Sequence, residues 1–283
     1  MTTENLLLLG LSVLLSAGRN AISKKTATVS RGGREFFLSQ TLLFLSAALL
    51  LGVGCVRTLR VSGLTVVLGV IYGVLLVLAQ WMLTVALRSG NTSLCSVVYS
   101  FGFLLPTLSG ALFWQETFTA RDGVGLTLAV CVILLSAKRE KESGSPMPHI
   151  LVAMLASGGL GIMQKVQQSS PAPEEKGVFL LIAFLVATLA SLVALLTCKK
   201  APTEQQKTDW ISPVLTGLCF GGANLCNTVL AGAVKSAVVF PTQNIGTVLL
   251  STLFGMALFG ERFTKKTAAV LLLATATVLV FAI

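Results

Sequence analysis

The chain has 283 residues, 54% hydrophobic and 11% charged, with 21 Lys and Arg against 11 Asp and Glu and a formal net charge of +10. Soluble domains carry about 25% charged residues, so the composition excludes an ordinary soluble fold. The basic residues fall almost entirely between apolar stretches, where they orient a membrane chain and meet anionic lipid, and no basic stripe with interleaved aromatics points to nucleic acid.

A span needs about 18 or more apolar residues, because roughly 20 at 1.5 Å each cross the hydrocarbon core. Ten such stretches follow in order, at approximately 5–23, 36–56, 64–87, 94–114, 123–137, 149–166, 178–198, 211–234, 237–259 and 267–283. Membrane β-strands would instead alternate over segments of about 10 residues. The expected fold is therefore an all-α membrane protein with ten transmembrane helices.

The first stretch follows "MTTEN", which has no basic n-region, and it runs into Arg19 and "SKK" without a small-x-small site. It reads as a retained helix rather than a signal peptide. Arg19 and Asn20 lie deep in it, where an unpaired Arg costs at least about 2.5–3.5 kcal/mol. Arg19 either faces a polar interior or snorkels to the interface, and Lys25 ends the stretch. The third stretch carries Gly69-x-x-x-Gly73, a small-residue face that lets backbones approach, and then Gln80 and Trp81. The fourth contains Tyr99 and a mid-helix Pro106 and leads to Glu116. A charged connector with Gly, Ser and Pro, residues 138–148, separates the fifth and sixth stretches. Gln164 and Lys165 end the sixth. The eighth holds Gly217-x-x-x-Gly221, and Gly221-Gly222 before Asn224 suggests a locally loosened helix. Asn224 and Asn227, three residues apart, share a helix face. Gln243 and Asn244 follow in the ninth, which leads to Glu261.

The two halves echo each other. "QETFT" at 115–119 and "GERFT" at 260–264 align with Glu116 on Glu261, and the match extends through Gly110 on Gly255, Thr107 on Thr252, Phe118 on Phe263 and Leu126 on Leu271. Gln80 falls on Asn227, Tyr99 on Asn244, Gly18 on Gly158 and Lys25 on Lys165. The units are 1–137 and 149–283, each with five stretches. An odd number of spans forces the second unit to enter the membrane upside down. Inverted repeats typify secondary transporters, with the substrate site at the repeat interface.

The string "ALRSGNTSLCSVVYSFGFLLPTLSGALFWQETFTARDGVGLTLAVCVILLSA" resembles the third-to-fifth-helix signature of the drug/metabolite transporter superfamily, EamA-like branch, and the second half repeats it from Ala233 to Ala282. A basic residue ends one helix, a proline follows in the next, and a glutamate precedes the last. The resemblance implies ten helices as two inverted EamA repeats, a central pocket between them, and export or exchange of small metabolites. It also implies a multi-pass plasma-membrane protein of a prokaryotic cell, working as a monomer with a dimer compatible, and a basic residue (Lys25, Lys165) near one pocket mouth. The second half departs from the first in placing its proline, Pro241, at the start of the ninth helix.

The polar groups inside the stretches are the candidate substrate ligands: Arg19, Asn20, Lys25, Gln80, Trp81, Tyr99, Gln164, Asn224, Asn227, Gln243 and Asn244. For the amides the competing role is a helix–helix hydrogen bond. Glu116 and Glu261 are expected to be architectural, each beginning the following helix beside a capping Thr119 or Thr264. All 11 acidic residues fall in the tail, in loops or at helix ends. Relatives that exchange protons for lipophilic cations depend on a membrane-embedded carboxylate. An amino-acid-like or other small polar solute is therefore expected, with a lipid or lipid-linked sugar flippase and a multidrug exporter as the alternatives. No enzyme is expected, because GxSxG, Walker A and HExxH motifs are absent and His149 is the single histidine. The six cysteines form no CxxC, so no metal and no cofactor are expected.

Orientation is read two ways. Connections after odd-numbered stretches hold 14 Lys and Arg and those after even-numbered ones hold six, counting Lys165 with the latter. The positive-inside rule places the odd connections in the cytoplasm. The resemblance places both termini there instead.

Overall fold

A computed structural model describes residues 2–27, 33–55, 61–89, 95, 98–136, 147–198, 210–260 and 263–282, with backbone only at 24–27, 87–89, 136, 266 and 282. Among these residues ten α-helices can be given with both ends, residues 98–100 are helical as well, and there is no strand. They are α1 (Thr3–Ala27), α2 (Gly33–Cys55), α3 (Gly63–Ser89), α4 (Leu104–Phe113), α5 (Ala120–Ser136), α6 (Met147–Gln168), α7 (Lys176–Thr197), α8 (Ile211–Ala233), α9 (Ser236–Phe259) and α10 (Lys265–Ala282). Helices α1, α2, α3, α6, α7, α8 and α9 are long and apolar enough to cross a membrane. The protein is a multi-pass membrane protein. Its outer face fits lipid, since Leu7, Val53, Leu112 and Leu196 are each at least 70% exposed.

Shorter apolar helices run over Val98–Phe113 and Thr267–Phe281. In the former, Phe101–Phe103 tightens into a 3-10 turn before α4. Pro106 is responsible: it has no N–H to give to the carbonyl four residues back, and its ring crowds that position. Pro106 thus lies in the first turn of α4 and midway along the apolar helix Val98–Phe113, as expected. In contrast, α8 is not loosened at Gly221-Gly222, since it is continuous from Ile211 to Ala233. The connector is shorter than expected at its far end, because α6 begins at Met147; residues 137–146 lie outside the described residues.

The packing follows the glycines. An added methyl at Gly69 in α3 would lie 2.9 Å from the Phe179 carbonyl of α7, and one at Gly73 would lie 2.6 Å from the Ala183 carbonyl. Gly217 and Gly221 in α8 face Leu43, Ser46 and Ala47 of α2 in the same manner. These close crossings let α2, α3, α7 and α8 form one core around Phe44, Tyr72, Phe179 and Phe184. A second core joins α1, α5, α8, α9 and α10 through Leu9, Ile133, Leu230, Ile245 and Ala274.

Two parallel pairs complete the frame. Along α1 and α9, Gln243 Nε2 donates to Ser16 Oγ at 3.1 Å, and further along both helices, by four residues on α1 and eight on α9, Asn20 Nδ2 donates to Ser251 Oγ at 3.2 Å. Along α4 and α6, Gly102 and its turn lie against Gly158, and Pro106 lies against Gly161. The helices therefore bring α1, α3, α4, α6, α8 and α9 around a common interior.

Candidate functional site

That interior holds a cavity of about 160 Å³, lined by residues from all six of these helices and the turn before α4. Seven of the eleven candidate ligands line it: Arg19, Tyr99, Gln164, Asn224, Asn227, Gln243 and Asn244. The wall between them is aromatic and aliphatic, with Phe103, Pro106, Leu160, Phe220 and Phe240.

One wall is a closed polar cluster. Tyr72 Oη donates to Asn224 Oδ1, and Gln164 Nε2 donates to Tyr72 Oη at 3.0 Å and to Asn224 Oδ1 at 3.3 Å. Asn224 Nδ2 returns to its own helix, donating to the Phe220 carbonyl at 2.9 Å. Tyr72, Gln164 and Asn224 are all buried, at 0%, 3% and 7% exposure. A polar group held this deep in hydrocarbon surroundings costs several kcal/mol unless it is hydrogen-bonded. The cluster satisfies its members mutually and fixes their orientation. Asn227 is held similarly, accepting a hydrogen bond from Ser12 of α1.

Arg19 lines another part of the cavity. Its guanidinium lies 3.7 Å above the centre of the Phe220 ring, and Nη2 donates to Gln80 Oε1 at 3.2 Å. Both partners are neutral. A cation over an aromatic face gains about 0.5–2 kcal/mol, but neither contact supplies a counter-charge. Arg19 is therefore held inside the bundle rather than extended along its own helix to the interface, and it is among the residues that line the cavity.

The remaining candidates stand apart. Gln80 touches the cavity only through Arg19. Trp81 packs edge-on against Phe37, with ring centres 5.2 Å apart, and does not line the cavity. Asn20 is exposed and is joined to Ser251. The side chain of Lys25 lies outside the described residues, as does Glu261. Lys165 does not reach the cavity: its Nζ lies 2.6 Å from Glu116 Oε1.

Glu116 also corrects an expectation. It does not begin the helix that follows it. Thr119 and Asp122 take that role, with Asp122 Oδ2 accepting from Thr119 N at 2.8 Å and Thr119 Oγ1 accepting from Asp122 N at 3.3 Å, a reciprocal cap on α5. The Glu116 carboxylate instead meets the start of α9, accepting from Ser236 N at 2.7 Å and Ser236 Oγ at 3.2 Å. A free helix N-terminus with outward N–H groups attracts an anion more strongly than one already capped. Thr264 caps α10, accepting from Thr267 N at 3.2 Å.

Sequence reasoning missed Tyr72, Ser12, Ser16, Phe220 and Phe240. Tyr72 sits beside Gly73 on a close-packed face, where an aromatic reads as packing.

The described residues thus form a multi-pass helical membrane protein with a small cavity of mixed polar and aromatic lining between its helices. No family profile matches the chain, and no curated protein matches it. Among solved structures, a chain described only as a crystal structure of a protein superposes with a TM-score of 0.79 at 16% identity, covering 99% of this chain and 96% of that one. Likeness at that identity shows a shared fold.

Proposed function

We propose that the chain is a secondary transporter of the EamA-like branch of the drug/metabolite transporter superfamily, with ten spans in two inverted five-helix repeats, 1–137 and 149–283. It moves a small polar metabolite by alternating access between the repeats. The carrying observation is the cavity itself, walled by α1, α3 and α4 of the first half and α6, α8 and α9 of the second. The packing supports the inversion. The first helix of each half lies parallel to the fourth helix of the other, α1 with α9 and α6 with α4, and the glycine-faced third helices meet the second helices of the opposite halves. The placement in a prokaryotic plasma membrane is supported by the resemblance alone.

The chemistry of the walls supports an amino-acid-like solute. Arg19 offers a charge for a carboxylate, and the amide oxygens of the lining residues, Gln164 among them, suit an ammonium group. A volume of about 160 Å³ is below the roughly 300–1,000 Å³ of drug-sized ligand sites, which favours a small metabolite over a multidrug exporter or a lipid flippase.

The test is thermal unfolding of purified protein against a panel of amino acids and other small polar metabolites. A solute present at a hundred times its Kd stabilises the folded state by about 2.7 kcal/mol, so the substrate raises the melting temperature of the wild type and leaves Arg19→Ala unmoved. A panel with no response, or an equal shift in Arg19→Ala, contradicts the reading.

A further inference from the structure

We propose that Glu116, Lys165 and the start of α9 form a charged latch that closes one end of the cavity and must break for the cavity to open there. The inference rests on the transporter reading and adds the device that controls one side of its site.

The three parts come from both halves of the chain. Glu116 follows α4, Lys165 lies near the end of α6, and Ser236 begins α9. They meet at the end of the bundle where α4 and α6 finish. The carboxylate is shared between the Lys165 ammonium at 2.6 Å and the Ser236 backbone N–H at 2.7 Å, and the Lys165 and Glu116 side chains are 11% and 13% exposed. Beneath the latch, Gly110 of α4 packs so closely that an added methyl would lie 2.7 Å from Ser236 Cβ. Beside it, Lys235 Nζ donates to Thr117 Oγ1 at 2.8 Å, and Gln168 of α6 packs onto Gly232 of α8. The end is thus closed by contacts that all run between α4, α6 and the α8–α9 junction.

The latch touches the cavity through a single peptide unit. Gln164, whose amide joins Tyr72 and Asn224 in the cavity wall, is followed directly by Lys165. A displacement of this turn of α6 moves the cavity wall and the ammonium together. A permanent brace needs no such adjacency. For water to reach the cavity from this end, α4 and α9 must part from α6, and the ion pair is the charged contact, among the described residues, that this movement separates. Breaking it exposes both charges to water, which solvates them, so the open state is accessible once the helices part.

The test uses a reporter cysteine at Ser157, which lines the cavity, in full-length protein whose native cysteines are replaced. A membrane-impermeant maleimide is added to either side of sealed vesicles, and a cysteine at the exposed Ser169 marks the latch side. With the latch intact the cavity cysteine is protected from that side. Glu116→Gln and Lys165→Met are expected to raise its labelling rate from the latch side several-fold, whereas Lys165→Arg, which keeps the pair, preserves protection. Unchanged labelling in either Glu116→Gln or Lys165→Met protein that remains monodisperse overturns the proposal, as does Lys165→Arg behaving like Lys165→Met. Labelling requires no substrate, so the latch can fail while solute binding stands, and the reverse.

Discussion

Tyr72 shows what a single side chain settles in this bundle. It is fully buried in the α3 core, yet its hydroxyl is the hub through which α6 and α8 are joined. Replacing it with Phe keeps the ring and its edge contact with Phe179 at 5.0 Å but leaves Gln164 and Asn224 each short of a partner. A lost buried partner costs about 1–3 kcal/mol, so Tyr72→Phe is expected to lower the melting temperature in detergent and to weaken solute binding, both read in the same thermal scan. A variant with wild-type stability and binding would show that the cluster is incidental. The amides Gln164 and Asn224 were legible in the sequence because polar groups inside apolar stretches stand out. Tyr72 was not, because an aromatic between glycines reads as packing, and its partners lie 92 and 152 residues away.

Among the helices, small residues decide where backbones meet. Gly73→Ala places a methyl 2.6 Å from the Ala183 carbonyl and 2.8 Å from Val186 Cβ. Overpacking of this kind costs about 1–3 kcal/mol. Gly10 has nothing within 4 Å of an added methyl, and a helical Gly→Ala exchange in open space gains roughly 0.5–1 kcal/mol. The pair makes a controlled comparison: Gly73→Ala is expected to lower the melting temperature and Gly10→Ala to leave it level or raise it. Equal behaviour would remove the close α3–α7 crossing from the account. Helix positions and the two threonine caps could be read from local sequence, since span length, small-residue spacing and capping are written within a few residues. Glu116 could not be placed, because its partners Lys165 and Ser236 lie in the other half of the chain. The short α4 could not be either, since the tightening before Pro106 depends on one missing donor within a stretch that is apolar throughout.

For the whole molecule, the proposed duplication would account for two sets of polar side chains converging. Gln80 and Asn227 match in the proposed alignment of the halves, and Arg19 reaches the first while Ser12 reaches the second. The charge bias and the resemblance assign opposite sides to the termini, and a terminal reporter active on one face decides between them. The charge bias predicts activity outside the cytoplasm and the resemblance predicts it inside. The central claim is transport, and the direct measurement compares metabolites in cells and medium for cells that carry the protein, lack it, or carry Arg19→Ala with Tyr72→Phe at equal abundance. The account predicts that at least one small polar metabolite is redistributed across the membrane by the wild type and that the double variant abolishes the change. No redistribution, or one that the double variant reproduces in full, would contradict it.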